Sequence, residues 1–387
     1  MRGNASARRA GPGQKLSRRV RVSSTEASVI VRISAVLLSL WAGISAASDV
    51  GGELTLGGNK ATADNPRTGY AGALVNGAWD INDRFGINGA FGYTHDNGTS
   101  NGTQSTSGSN ILLFQLAGDV MLGEHFLLSA GAVFSPSTAG ESATTITADF
   151  PRLAKTITVP AKINTDSSSI GALLMLAFAT HGDSRWEHGI DFSSQLTRFG
   201  VSEQVVLDTN GLPLKERVTE AEVRSVCAMH LDAPACRVLT QPQSSSLFQA
   251  RLALSYIATL FTDNDAALEF SYYLYDHDPT DTGFYSVATL GRTISLGETP
   301  NAIAPVQWAL KPSFTHRFGE RVSVKVWLQY GQYVPGQGYD TAAGAKIEVR
   351  LSHHMKVYLI GQGQRDIDAQ KNVIGSGSGI LGLTWTF

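Results

Sequence analysis

The chain has 387 residues and a net charge of −2; 42% of the residues are hydrophobic, only 17% are charged, and 40 are glycine. The near-neutral charge excludes a basic nucleic-acid-binding protein, and the apolar content excludes an intrinsically disordered chain. Because the sequence lacks repeated apolar runs of about 18 residues, it is not a multi-helix membrane protein, which leaves a large soluble β protein or a barrel of alternating residues.

The N-terminus has the pattern of an export signal. Residues 1–27 are polar and rich in arginine, and an apolar run over residues 33–44 follows them. This run is too short to span a bilayer, and the small residues Ser45-Ala46-Ala47 come directly after it, as at a cleavage site. We predict a signal peptide over residues 1–47, with translation starting at Met1 or downstream of it. The alternative is an uncleaved anchor, against which Arg32 argues because it interrupts the apolar stretch.

From residue 48 onward, hydrophobic residues recur with a period of two. In the last segment Leu381, Leu383 and Trp385 share one parity, whereas Ser378 and Thr384 share the other. Successive side chains of a strand point to opposite faces, so this pattern indicates one apolar and one polar face. A soluble sandwich would alternate in the same way, so alternation alone does not distinguish the two classes.

Segment length favours the barrel. The alternating segments run for about ten residues or more, whereas soluble strands average about five to six and membrane-spanning strands need about nine to eleven. We predict an all-β fold, a closed antiparallel transmembrane β-barrel of about 14 strands over residues 48–387, with 12 or 16 as alternatives. Short periplasmic turns alternate with long external loops. The predicted strands cover residues 49–60, 68–80, 85–96, 109–122, 126–136, 167–181, 186–200, 246–261, 266–278, 303–317, 321–334, 341–352, 355–366 and 376–387.

The final strand, Leu383-Thr384-Trp385-Thr386-Phe387, resembles the C-terminal signature of Gram-negative outer-membrane β-barrels. The resemblance implies that Trp385 and Phe387 belong to an assembly signal read by the barrel-assembly machinery, and that the barrel lies in outer-membrane lipid. In strand count and size the chain is similar to monomeric porins and to hydrophobic-compound transporters. No motif selects one family.

Charged residues of the polar parity predict the chemistry of the lumen. The predicted inward bases are Arg251, Lys311, Arg317, Lys325, Lys346, Arg350 and Lys356. The predicted inward acids are Glu53, Asp80, Asp119, Glu187, Asp191, Glu269 and Glu348. A basic wall facing a more acidic wall would set a field across a water-filled pore and select ions. The alternative is that these charges neutralise one another across neighbouring strands, as Glu348 beside Lys346 would.

Two connections are unusually long, residues 137–166 and 201–245. In the second, Thr219 and Glu222 have capping-box spacing ahead of good helix formers, which predicts a helix. Cys227 and Cys236 are the only cysteines, and in an oxidising compartment they predict a disulfide. The predicted helix, held by this disulfide, would either cap the pore and set its size or protect the loop from proteases.

Catalytic and metal-binding alternatives have weak support. Glu187, His188 and Asp191 offer groups for acid–base chemistry, but strand parity directs His188 to lipid and Asp191 to the lumen. His353 and His354 lie in a turn without further ligands at metal spacing. Tyr273, Tyr275 and His277 share the lumen face near the outer rim and are candidates for solute contact. No catalytic residue, metal ligand or cofactor is predicted.

The predicted function is that of an outer-membrane porin, which conducts small solutes passively through the barrel without a cofactor or covalent chemistry. A non-conducting structural or adhesive surface barrel is the main alternative. A lipid-acting enzyme with a histidine at the rim is a third. The solute and the oligomeric state are not predicted.

Overall fold

The computed structural model describes residues 49–59, 69–96, 99–100, 105–107, 109–180, 186–209, 212–230, 234–240, 243–260, 263–279 and 305–387. Residues 49–387 belong to one compact unit, whose described part is a closed antiparallel β-barrel of 14 strands. The predicted fold class and strand number are therefore confirmed. The predicted signal peptide lies outside the described residues.

Fourteen long strands make the barrel wall, and two short ones lie at its outer end. The wall strands are β1 (Asp49–Asn59), β2 (Gly69–Asn82), β3 (Phe85–Asp96), β6 (Ser109–Met121), β7 (Phe126–Phe150), β8 (Lys155–Ala179), β9 (Trp186–Leu207), β10 (Gln243–Leu260), β11 (Asn264–Tyr275), β12 (Val306–Phe318), β13 (Val322–Tyr333), β14 (Tyr339–Arg350), β15 (Met355–Ile367) and β16 (Val373–Thr386). The short strands are β4 (Thr99–Ser100) and β5 (Ser105–Ser107).

The wall closes without a free edge at the level of the barrel. The first strand pairs with the last, with Leu54 opposite Leu381, and β7 pairs with β8. Closure leaves no wall strand with an unpaired side, which a bilayer requires because lipid cannot hydrogen-bond the backbone. We call the end that carries Asp49 and Phe387 the base, and the opposite end the outer end. The described turns at the base are short, as at residues 83–84, 319–321 and 351–354.

Opposite faces of each strand have opposite chemistry. Leu328 points outward and is 62% exposed, whereas its neighbour Trp327 points inward and is 2% exposed. Leu56, Leu116, Leu196 and Leu381 are outward residues of the same kind. Apolar side chains in a continuous outer belt are stable against hydrocarbon, because burial in lipid removes them from water.

Three neighbouring strands extend far beyond the barrel. β7 and β8 have 25 residues each and β9 has 22, so residues 137–166, predicted as a long loop, are mostly strand. Only a 3₁₀ turn, Pro151–Leu153, and Ala154 separate β7 from β8. A β-bulge between Ser135 and Thr138 changes the parity of β7. The bulge prevented prediction of the extended strand from the sequence, because the apolar residues after Thr138 point to the opposite face of the strand from the lipid-facing ones before Ser135.

The other long connection also has regular structure. β9 continues to Leu207 and β10 begins at Gln243, which shortens the predicted loop 201–245 at both ends. Between them lie a 3₁₀ turn, Leu214–Glu216, and helices α1 (Glu220–Cys227) and α2 (Pro234–Thr240). Among the described residues no helix has the length and apolar character needed to cross a membrane.

We call the outer ends of β7–β9 together with residues 212–240 the outer cap. The predicted capping box is confirmed, because the Thr219 side chain accepts a hydrogen bond from the Glu222 backbone and the Glu222 side chain accepts one from that of Thr219. A disulfide joins Cys227 to Cys236. The helices share one core with the strands, formed by Ile146, Ala148, Phe150, Ile157, Val159, Ala161, Val205, Leu212, Val218, Val223, Val226, Cys227, Ala235, Cys236, Val238 and Leu239.

Candidate functional site: the lumen and its outer cap

The charged residues predicted to line the pore lie on the inward face. They share strand parity with buried inward residues such as Trp327 and oppose the lipid-facing leucines. This holds for Glu53, Asp80, Asp119, Asp191, Arg251, Glu269, Lys311, Arg317, Lys325, Lys346, Glu348, Arg350 and Lys356. Glu187 is in β9, but its side chain lies outside the described residues.

Several of these charges are paired across neighbouring strands, as the alternative interpretation predicted. Arg251 donates to Glu269 at 2.7 Å, and Ser271 accepts a second hydrogen bond from the same guanidinium at 3.1 Å. At the base, Arg317 pairs with Asp265. The Arg251–Glu269 pair contributes little net charge to its side of the lumen.

One sector of the wall nevertheless has an excess of basic side chains. The inward face of β12–β15, from mid-barrel to the base, carries Lys311, Lys325, Lys346, Arg350 and Lys356. Glu348 is the one acid of this stretch, and its carboxylate lies 3.4 Å from Lys346 Nζ and 3.5 Å from Lys356 Nζ. We call these six residues the basic wall. The basic wall therefore holds five basic side chains and one acidic one, and Lys311 and Lys325 have additional partners.

Two inward aromatic rings lie flat against glycines within the basic wall. Trp327 lies over Gly344, its partner on β14, and Tyr358 lies over Gly382, its partner on β16. Lys346 Nζ lies 4.2 Å from the centroid of the Tyr358 ring, a cation–π arrangement. These pairs were not predicted from the sequence. The available signal was a large aromatic residue of the inward parity on a strand next to one with an inward glycine.

The outer end of the same sector holds two buried carboxyl groups that were not predicted from the sequence. Asp340 and Asp366 are directly paired on β14 and β15, and their exposures are 2% and 1%. Asp366 accepts hydrogen bonds from Tyr333 and, at 2.7 Å, from Gln364. The Asp340 carboxylate lies against Gly331, its partner on β13. Both acids lie at the outer end of β14 and β15, whereas the basic wall lies between mid-barrel and the base of the same sector.

The acidic residues do not form the predicted opposing wall. Glu53 accepts a hydrogen bond from Tyr358, and Asp119 accepts one from Asn88 at 2.6 Å. Asp191 lies on the inward face of β9. The acids are therefore dispersed around the barrel.

The outer cap covers the lumen side of its sheet. β8 has no bulge, so Val159 in the cap and Met175 in the barrel share parity and face the same side. Val159 is in the core with the helices, and Met175 faces the lumen. The helices therefore pack on the face that continues the lumen wall. Arg152 pairs with Glu222 and donates to the Arg217 carbonyl at 2.7 Å, which ties the hairpin tip to α1.

The ion pair at the hairpin tip predicts how the cap responds to acid. The Thr219 backbone N–H and the Arg152 guanidinium hold the Glu222 pKa at about 2, below its ordinary 4.5. The stabilisation is therefore complete above pH 4.5 and is lost as pH falls toward 2. The protection of the α1 amides, which is their exchange rate relative to the intrinsic rate at each pH, should fall over that interval in the wild type and much less in Glu222→Gln, which keeps the capping box. Glu220→Gln is the matched control, and equal acid responses in both variants would contradict the assignment.

The residues considered for catalysis and metal binding do not come together. His188 faces outward and its Nδ1 lies 2.6 Å from the Tyr256 hydroxyl, whereas Asp191 faces the lumen. His354 lies in the base turn, with its Nδ1 2.9 Å from the Thr386 carbonyl. In the described part of the chain, no group of three or more His, Cys, Asp or Glu side chains could hold a metal ion.

The tyrosines predicted near the outer rim have structural partners. Tyr273 and Tyr275 face inward, and the Tyr275 hydroxyl donates to the Val306 carbonyl at 2.7 Å. His277 lies beyond β11 and pairs with Asp276. At the C-terminus, Trp385 is on the outward face of β16, where it stacks on His354.

A closed 14-strand barrel with an apolar belt outside and polar and charged groups inside has the fold of outer-membrane β-barrel proteins. The fold is similar to that of a Pseudomonas aeruginosa FadL homologue at 11% identity, with a TM-score of 0.51 over 88% of this chain and 90% of that chain. It is also similar to the Ralstonia pickettii toluene transporter TbuX at 9% identity, with a TM-score of 0.50 over 88% of both chains. At such identities the likeness is one of fold. No protein-family model and no curated protein matches the sequence.

Proposed function

We propose that the protein is a channel that conducts small solutes passively across the outer membrane. The observation that carries this proposal is the accessibility of charge inside the barrel. The side chains of Lys346 and Lys356 are 26% and 42% exposed although they point inward. Solvated charge in the interior is expected of a water-filled lumen, because a dry interior penalises ions heavily.

The proposal includes the surroundings of the channel. The apolar belt would contact outer-membrane lipid, and the final strand with Trp385 and Phe387 would be read by the barrel-assembly machinery. The outer cap would narrow the mouth from the side of β7–β9. No cofactor takes part in conduction of this kind.

Conductance tests the proposal directly. Purified protein in a planar bilayer should give stepwise current in KCl. Protein that is folded by the criterion of heat-modifiable gel mobility, yet remains silent, would overturn the channel. Absence of current would favour a non-conducting surface barrel. The outer cap supports this alternative, because it has a core of its own beyond the barrel.

The basic wall should make the channel prefer anions. Replacing both Lys346 and Lys356 with glutamine should lower the anion-to-cation permeability ratio about fivefold, since a unit charge about 4 Å from an ion contributes on the order of 1 kcal/mol in water. Reversal potentials in a KCl gradient near 0.1 M would measure the ratio, because higher salt screens the effect. Lys215→Gln, an exposed change in the outer cap, is the control. Equal ratios in all three proteins would contradict an anion-selective wall.

A further inference from the structure

The base end of the basic wall brings cations together without an acid directly opposite them. None of the residues paired with Lys346 and Lys356 on the adjoining strands is acidic. They are Lys325 and Ile360 for Lys346, and Arg350 and Thr384 for Lys356. Like charges directly opposite one another destabilise a sheet, and this sector has two such pairs. The register therefore places cations where neutralisation across the strands would need carboxylates.

Two other inward cations each have a carboxylate of their own. Arg251 on β10 donates to Glu269 on β11 at 2.7 Å, and Arg317 on β12 pairs with Asp265 on β11. The basic wall differs, because Glu348 is the only acid among its six residues. Ion pairing across the strands therefore does not account for the number of cations in this sector.

The Glu348 side chain shows that one anionic group can lie between both lysines. Its carboxylate oxygens lie 3.4 Å from Lys346 Nζ and 3.5 Å from Lys356 Nζ. Close charge-assisted hydrogen bonds are shorter, at about 2.7–2.9 Å, so Glu348 holds neither ammonium group tightly. The oxygens of a phosphate are spaced much like those of a carboxylate. A phosphate in the place of this carboxylate would therefore reach the same two ammonium groups.

Two further side chains complete the surroundings of this carboxylate. Arg350 lies directly opposite Lys356, and directly opposite residues have Cβ atoms about 5 Å apart, so its guanidinium can reach an anion beside Lys356. The centroid of the Tyr358 ring lies 4.2 Å from Lys346 Nζ, and the Tyr358 hydroxyl donates to Glu53. These contacts hold Lys346 in place before an anion arrives, which lowers the entropic cost of binding.

We propose that Lys346, Arg350 and Lys356 form a binding site for a phosphate group at the base end of the lumen. The Glu348 carboxylate occupies the position of the anion and gives way when phosphate enters. This inference rests on the proposed channel and names its solute class as phosphate and phosphate monoesters. Three cations and one carboxylate leave two positive charges, which a phosphate dianion neutralises. Its oxygens accept from two ammonium groups and from the guanidinium, whose planar fork suits phosphate.

Block of the KCl current measures the site in wild-type channels. At about pH 8 phosphate is mainly the dianion, whereas acetate is an oxyanion with a single charge. At constant ionic strength, inorganic phosphate should block at about one fifth of the concentration that acetate requires, since one further unit charge near a cation contributes on the order of 1 kcal/mol in water. Block by glycerol 3-phosphate at a similar concentration would extend the site to esters. Equal potency of inorganic phosphate and acetate would overturn the proposal.

Substitutions of Glu348 test whether its carboxylate competes with phosphate. Glu348→Gln should lower the blocking concentration of phosphate about fivefold, because one competing charge is removed. Asp119→Asn, which removes an equal charge from the inward face of β6, is the control and should change it less than about twofold. Glu348→Asp keeps the charge but shortens the side chain, so it should also strengthen the block. No effect of Glu348→Asp, or equal effects of Glu348→Gln and Asp119→Asn, would overturn the proposal.

A pair of arginine variants locates the site. Arg350→Gln should weaken block by phosphate about fivefold, because it removes one of the three cations. Arg317→Gln removes a guanidinium from the same end of the lumen, but that guanidinium pairs with Asp265, so the block should change less than about twofold. Every variant is compared after folding is verified by heat-modifiable gel mobility. Equal weakening by the two arginine variants would contradict a site at Arg350.

Equilibrium binding distinguishes failure of this inference from failure of the channel. The phosphorus NMR line of inorganic phosphate should broaden with detergent-solubilised protein, more in Glu348→Gln and less in Arg350→Gln than in the wild type. The same order in protein that passes no current in bilayers would overturn the channel and support the site. Conducting protein without this broadening would overturn the site and leave the channel standing.

Discussion

Replacing Gly344 with valine is expected to destabilise the barrel by about 3 kcal/mol, because overpacking and loss of a buried aromatic contact add together. A Cβ at this position would overlap Trp327 Cζ2, and the ring has no room to yield because only 2% of the residue is exposed. The ring must leave its site, and with it the packing against Tyr358, Ile360 and Ile380. The midpoint of urea unfolding in lipid vesicles and the tryptophan emission maximum would report the change.

A second glycine provides the control. Gly361 lies on β15, where a Cβ would meet nothing within 4 Å. Gly361→Val therefore tests strand glycine replacement without the clash, and it should shift the unfolding midpoint little. The double variant Trp327→Ala with Gly344→Val should recover part of the loss, because the colliding ring is gone. Equal midpoints for Gly344→Val and Gly361→Val would show that the ring and the glycine are not coupled.

Loss of the disulfide should open the outer cap while the barrel stays folded. Cys227 and Cys236 are nine residues apart, so the bridge stabilises the segment by about 2–3 kcal/mol on the chain-entropy model. Cleavage within residues 208–242 of the folded protein should be about 30- to 150-fold faster in Cys227→Ser with Cys236→Ser, since proteases cut the locally opened form. The rate of fragment appearance on a denaturing gel measures the effect.

Two further measurements interpret the disulfide experiment. A mild reductant should convert the wild type to the fast cleavage rate and should leave the double serine variant unchanged. Ser225→Ala, an exposed change in α1, should cleave at the wild-type rate. An unchanged cleavage rate in the double serine variant would show that the core around Val223 and Val226 holds the cap without the bridge.

The barrel could be predicted from sequence because lipid and lumen impose one simple rule on every strand. Alternation such as that of Leu381 and Leu383 identifies the wall strands, and the need for closure identified β1 as the partner of β16. The alternation rule does not hold in the outer cap. There the apolar residues Ile146 and Phe150 face helices instead of lipid, so β7 and β8 extend into a segment that was predicted as a loop.

The candidate site was less predictable than the fold. Parity placed Lys346 and Glu348 on the inward face, since inward and outward positions follow from strand register alone. Parity does not show which strands face each other across the barrel, because that depends on the closed strand order. The packing of Trp327 on Gly344, and the burial of Asp340 beside Asp366, needed three-dimensional information.

The outer end of the barrel is much taller at β7–β9 than at β13–β16. β7 continues for 13 residues from Thr138 to Phe150, which corresponds to roughly 40 Å of extended chain, whereas the connections at 334–338 and 368–372 are tight. In the proposed outer-membrane channel, the tip at Pro151–Leu153 would therefore stand well above the lipid headgroups. An epitope inserted at the tip should then label intact cells, while the low flank over β13–β16 stays unobstructed.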